Sequence, residues 1–94
     1  MQDDEFEWDD EKAARNLALH GVTFYAARLA FDDLFAVERE DIRQDYDEQR
    51  FTLLGMVENR LLHVTYAHRA EHIRIISARA AEPSERRRYH EEND

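Results

Sequence analysis

The sequence predicts an α+β fold: an antiparallel sheet of about four strands in a meander, extended by a short N-terminal strand and packed by two N-terminal helices and one C-terminal helix. Three observations predict it. Arg50–Val57, Leu61–His68 and His72–Ala80 are rich in β-branched and aromatic residues, and the links between them, Glu58-Asn59-Arg60 and Arg69-Ala70-Glu71, are short enough only for antiparallel hairpins. Helix signals flank these runs on both sides, and helices segregated from a run of strands define the α+β class. With 94 residues, two glycines and one proline, the chain suits one compact unit over residues 1–94, because two cores would each bury too little surface.

Each element follows from local chemistry. Phe6-Glu7-Trp8 alternates apolar and polar side chains, as a short edge strand does. Asp9-Asp10 offers N-cap carboxylates to a helix whose interior, Glu11–His20, has no β-branched residue and which Gly21 ends as a left-handed C-cap. Ala13, Ala14, Leu17 and Ala18 form an apolar stripe expected to face the core, while Lys12, Asn16 and His20 recur at i, i+4 and i+8 along a neighbouring polar edge. Thr23 caps a second helix expected over Phe24–Asp32, with Phe24, Ala27 and Phe31 on one face. Phe35-Ala36-Val37 reads as a strand, and Glu38 to Gln49 as a loop or an extension of that strand. Pro83 fits the first turn of a last helix, with Glu82 or Ser84 near its cap.

The formal net charge is −9, and it is unevenly spread. Residues 1–50 hold 15 acidic and 6 basic side chains, whereas residues 51–94 hold seven of each. Within the second half, residues 69–88 carry six arginines against three glutamates, a local field that attracts anions on an otherwise acidic chain. The absence of cysteine excludes disulfides and thiolate chemistry. No stretch approaches the roughly 20 apolar residues of a membrane span, and the acidic opening Met1-Gln2-Asp3-Asp4-Glu5 is unlike a signal peptide, so a cytoplasmic location without membrane contact is expected.

His68-Arg69-Ala70-Glu71-His72 matches the H-x-x-E-H pattern of inverted zinc proteases in letters only. Two histidines four apart share a metal when both lie on one helix face; here a hairpin turn splays them, and a third ligand is lacking, so no metal and no cofactor are expected. His63 reads as a strand residue satisfied by a neighbour. Gly21 and Gly55 stand alone, so there is no glycine-rich phosphate cradle, and no G-x-S-x-G elbow supports acyl transfer.

The remaining chemistry lies in cations. Arg74 and Arg79, five apart on an apolar strand, are expected by simple alternation on opposite faces of the sheet. A guanidinium beside a packed sheet either pairs with a carboxylate or binds an anionic ligand as a bidentate clamp. Arg86 and Tyr89, three apart on the last helix, add a phosphate contact and a phenol. Cleavage of RNA by attack of a 2′-hydroxyl on its own phosphate requires a proton acceptor, a proton donor and cations for the developing charge; a histidine such as His20, the arginines and Tyr89 are the right residue types.

These residues form an ordered series: Phe6-Glu7-Trp8-Asp9, Lys12-Ala13, Asn16, His20-Gly21-Val22, Phe24, Ala30-Phe31-Asp32-Asp33, Arg50-Phe51, Gly55, Ile73-Arg74-Ile75-Ile76-Ser77-Ala78-Arg79 and Glu85-Arg86-Arg87-Arg88-Tyr89. The series resembles the BrnT toxin family over residues 6–89. The resemblance implies a RelE-like fold and a metal-independent endoribonuclease that inhibits translation. It also implies neutralisation by a BrnA-like antitoxin, in a heterotetramer of two toxins and two antitoxins that binds operator DNA through the antitoxin. Carried over by motif position, His20, Arg74, Arg79 and Tyr89 are the expected catalytic residues, and Lys12 and Arg86 expected RNA phosphate contacts; Arg69, from the arginine-rich span 69–88, is expected to join those contacts. The chain departs from the pattern at Leu19, where a basic residue often precedes the histidine, at Leu34, where a proline is common, and at His63 and His68. A toxin-fold binding module without catalysis, acting only as partner and co-repressor of a DNA-binding antitoxin, is the competing expectation.

Overall fold

The Asp9 carboxylate accepts hydrogen bonds from the backbone N–H groups of Glu11 and Lys12 and so starts the first helix; Gly21, at φ 68°, ends it. A computed structural model describes residues 1–43 and 47–94 of the chain. Its elements are β1 (Phe6–Glu7), α1 (Asp10–His20), α2 (Phe24–Ala30), β2 (Val37–Asp41), β3 (Arg50–Val57), β4 (Arg60–Arg69), β5 (His72–Ala80) and α3 (Pro83–Glu92). The α+β class and the element order agree with the sequence reading. The sheet order is β1-β5-β4-β3-β2, antiparallel throughout except where β1 joins β5 in parallel.

α1 and α2 cover one face of this sheet. Phe6, Trp8, Val22, Phe24, Ala27, Ala30, Leu53, Leu62, Val64, Tyr66, Ile75 and Ala78 are all buried there. The closest approach is at Gly55, where a Cβ would lie 2.4 Å from the carbonyl oxygen of Ala30 in α2; only glycine admits the helix at that distance. Among the described residues, α3 covers one end of the opposite face, through a small cluster of Val37, Leu54, Leu61 and Tyr89.

Four local expectations are corrected. The stripe Ala13, Ala14, Leu17 and Ala18 does not form core: Leu17 is 47% exposed, and the buried residue of α1 is Asn16. The reason is the sheet edge. β1 pairs with β5 only at Ile73 and Arg74, and further along β5 the Asn16 amide takes over, with Nδ2 donating to the Ala78 carbonyl at 2.8 Å and Oδ1 accepting the Ala78 N–H at 3.1 Å. Nδ2 also donates to the Val22 carbonyl, so one side chain fixes the rotation of α1. Second, α2 ends at Ala30 rather than Asp32. Third, the strand expected at Phe35–Val37 begins at Val37, leaving Phe35 exposed, and takes in Glu38 to Asp41 from the stretch read as loop or extension; residues 44–46 of that stretch lie outside the described residues.

The fourth correction concerns the arginines. In β4·β5 the pairing runs Ala67↔Arg74, Tyr66↔Ile75, then Thr65↔Ser77, so Ile76 is an extra residue in a β-bulge. The bulge resets the alternation. His63↔Arg79 and Ala67↔Arg74 are four residues apart on β4, so Arg74 and Arg79 lie on the same face, the one opposite α1 and α2.

Candidate active site

Arg74, Ser77 and Arg79 form a row on that open face, because Thr65↔Ser77 falls between the two arginine pairs. Arg74 Nη1 donates to Glu7 Oε2 at 2.9 Å across the β1·β5 pair. Arg79 is held more firmly: Nη1 and Nη2 donate to the two carboxylate oxygens of Glu85 at 2.8 and 2.9 Å, a planar bidentate pair between β5 and the first turn of α3. The same carboxylate accepts the Glu82 N–H at 2.8 Å, which opens α3. Burial opposes its charge, but the Arg79 and Glu82 hydrogen bonds prevail and lower the Glu85 carboxyl to about 2. Glu85 in turn raises the Arg79 guanidinium further above its usual range.

His63, the cross-strand partner of Arg79, completes the group, with Nε2 3.6 Å from Glu85 Oε2. Burial and the Arg79 charge lower its pKa against the opposing pull of Glu85, which favours neutral imidazole. The neighbour expected for His63 is thus Glu85, at a distance longer than a hydrogen bond; it was hidden in the sequence because it lies 22 positions away.

Lys12 and His20 meet a second part of the same region. Together with Arg15, Asn16, Leu19, Ile76 and Ser77 they line a depression of about 340 Å³ between α1 and the bulged part of β5. Ser77 therefore joins two sets of groups: the cations of α1 on one side and the arginine row on the other. Arg74 also lies close enough to the N-terminus of α1 for its charge to contribute to the lowered pKa of Asp9, which its backbone hydrogen bonds dominate.

Three expected residues lie elsewhere. Arg69 ends β4 at the hairpin opposite His72, exposed. Arg86 lines a groove on the solvent side of α3 with Pro83, Arg87, His90 and Glu91. Tyr89 points inward from α3, and its hydroxyl donates to Asp33 Oδ2 at 2.7 Å. Burial and the Asp33 carboxylate raise the phenol to about 12. Asp33 also accepts the backbone N–H groups of Met56 and Phe35, so despite burial its carboxyl lies below the usual range and it ties the α2 exit, β3 and α3 together. Nothing in the local sequence around Asp33 or Glu85 signals these bonds.

The hairpin at His68 to His72 separates its two histidines: His68 packs its ring against Phe51 and Tyr66, while His72 bonds Gln2 and the Asp3 carbonyl near β1. Among the described residues no three His, Asp or Glu side chains gather into a metal-binding group. No helix of the described residues is long and apolar enough to cross a membrane.

The bulged strand β5 thus carries Arg74, Ser77 and Arg79 on one face, and Ser77 also borders the depression that Lys12 and His20 line. The sequence matches the family described as ribonuclease toxin, BrnT, of type II toxin-antitoxin system over residues 8–85, and the chain belongs to that family. None of the curated proteins matches it.

Proposed function

We propose that this toxin is an endoribonuclease that cleaves RNA without a metal, in the trough bounded by α1 and the bulged half of β5. The observation that supports this most is the bulge at Ile76, which puts Arg74 and Arg79 on one face with Ser77 between them, at the border of the depression that Lys12 and His20 line. In this reading the 2′-oxygen attacks the adjacent phosphorus, its proton passes to a base, the bond to the 5′-oxygen breaks and that oxygen takes a proton. The products are a 2′,3′-cyclic phosphate and a 5′-hydroxyl. His20 exchanges protons, Lys12 and Arg74 hold the flanking phosphates, and Arg79, pre-oriented by Glu85, stabilises the charge that develops on the phosphorane oxygens. Arg69 and Arg86, on other surfaces, extend the track for longer RNA. Tyr89 acts as a brace through Asp33 rather than as a proton carrier.

The setting we propose is the one the family suggests: the toxin acts in the cytoplasm on messages, inhibits translation, and is neutralised by a BrnA-like antitoxin in a complex of two toxins and two antitoxins that binds operator DNA through the antitoxin. The second reading, a toxin-fold binding module without catalysis, is favoured by one specific observation: Arg74, Arg79 and Tyr89 each already have a carboxylate partner in Glu7, Glu85 and Asp33.

Incubating the purified chain with single-stranded RNA in EDTA separates the two. Cleavage to cyclic-phosphate ends, lost when the nucleotide at the cut is 2′-deoxy and reduced by about 10² or more in His20→Ala, is the expected result. Absence of cleavage together with harmless expression of the free chain overturns it and leaves the binding module.

A further inference from the structure

The apolar stripe of α1 that does not enter the core has to be accounted for. Leu17 and Ala14 face α2 across an open groove of about 180 Å³ floored by Trp8 and Phe24 and walled by Tyr25. Leu17, Tyr25 and Leu29 are 47%, 58% and 49% exposed, and Tyr25 and Leu29, four apart, continue the apolar strip along α2. Lone exposed apolar residues need no explanation; a strip shared by two helices and opening onto a groove marks an interaction surface. Among the described residues no lysine or arginine lines the groove itself; Arg28, 5.6 Å from the centroid of the Tyr25 ring, is paired with Asp3. At the N-terminal end of α1 stand the exposed carboxylates of Glu11 and of Asp10, the latter 3.2 Å from the Met1 ammonium, on the half of the chain that carries 15 acidic and 6 basic residues.

We infer that this groove is the docking site of the antitoxin, through an amphipathic segment with apolar side chains at helical spacing and a lysine or arginine placed to meet Asp10 and Glu11. The inference rests on the antitoxin partnership that membership of a type II family entails, and it adds where the partner sits. Charge complementarity selects a basic segment over a second copy of this chain, because two copies would bring the same carboxylates together. The groove lies on a stripe of α1 neighbouring that of Lys12 and His20, and the groove and the depression share no lining residue. Docking and RNA handling are therefore separable by substitution.

The toxin is titrated with its full-length cognate antitoxin, and binding is followed by the emission of Trp8, the chain's one tryptophan, which lies in the groove. Leu17→Glu and Tyr25→Glu are expected to weaken binding by at least tenfold. Glu11→Lys should weaken it several-fold and flatten its salt dependence, and all three free variants should cleave RNA at the wild-type rate. Antitoxin affinity within twofold of wild type in both Leu17→Glu and Tyr25→Glu overturns the docking site while leaving the toxin-antitoxin reading intact. A wild-type toxin that binds no antitoxin overturns both. A wild-type toxin that elutes alone as a dimer, and as a monomer once Leu17→Glu is made, reassigns the groove to a second copy and also overturns the inference.

Discussion

The two faces of the sheet are built on opposite terms. The face under α1 and α2 is closed by apolar contact, with aromatic rings of Phe6, Phe31, Tyr66 and Phe51 meeting in sequence at centroid separations of 5.0 to 5.6 Å. The other face, among the described residues, has an apolar cluster beneath α3 and beside it holds buried His63, Thr52 and Thr65 and two arginines tied to carboxylates. The closed face can tolerate few changes in volume; the open face can tolerate few changes in charge. Cohesion and chemistry are thereby placed on different sides of the same strands, and the bulge at Ile76 belongs to the second side.

The sharpest way to break the closed face is at Gly55. In Gly55→Ala the new methyl would stand 2.4 Å from the Ala30 carbonyl oxygen and 2.9 Å from the Ala30 Cβ, so α2 must lift from β3. Overpacking of this kind against backbone is expected to cost about 3 kcal/mol. For a domain of this size that lowers Tm by roughly 15 °C, measured by thermal circular dichroism. A variant as stable as wild type would mean that the closed face is looser than its packing implies.

Much of this was legible in the sequence, and for physical reasons. Caps are local, so Asp9, Gly21, Thr23 and Pro83 mark helix ends within a residue or two of where they lie. The strands Arg50–Val57 and His72–Ala80 are dense in β-formers and coincide with those observed. The family motifs were also in plain view. What escaped is non-local. Counting by twos along β5 puts Arg74 and Arg79 on opposite faces, because a one-residue bulge has no signature in Ile75-Ile76-Ser77. The partners that decide their electrostatics, Glu7 and Glu85, are 67 and 6 positions away. The α1 stripe was misassigned because apolarity marks a surface to be covered, whether by the core or by something else, while the amide that seats the helix is polar.

Asn16 joins the two faces at the sheet edge and is the next test. Asn16→Ala would leave the Ala78 N–H and carbonyl and the Val22 carbonyl without their partner in a buried place. The expected cost is about 2 to 3 kcal/mol in chemical denaturation. Asn16→Asp is expected to fare no better, since a carboxylate can accept from Ala78 but cannot donate to either carbonyl. If Asn16→Asp retains wild-type stability, the amide is not what seats α1 on β5.

Glu85→Gln has the smallest expected effect on stability, about 1 to 2 kcal/mol at neutral pH, and it separates the two functional readings of the open face. The Glu85 carboxyl is lowered from 4.5 to about 2 in the folded protein, against burial, by its bonds to Arg79 and Glu82. The unfolded chain therefore binds more protons between those values. The contribution of Glu85 is fully present above about pH 4.5 and fades as pH falls towards 2, so the glutamine variant should lose less stability than wild type across that window. His63 tilts the same way at higher pH: its lowered pKa means that the folded state resists its protonation, and stability falls as pH drops below 6.5 in both proteins. The same substitution removes a negative charge beside Arg79. If the arginine serves RNA, affinity for a short single-stranded oligonucleotide should rise several-fold and its salt dependence steepen even as the fold weakens. If the arginine serves only to hold α3, stability should fall and RNA affinity should stay where it was. Equilibrium denaturation across the acid range and binding at two salt concentrations, made on the same two proteins, distinguish a guanidinium that waits for phosphate from one that only braces the helix.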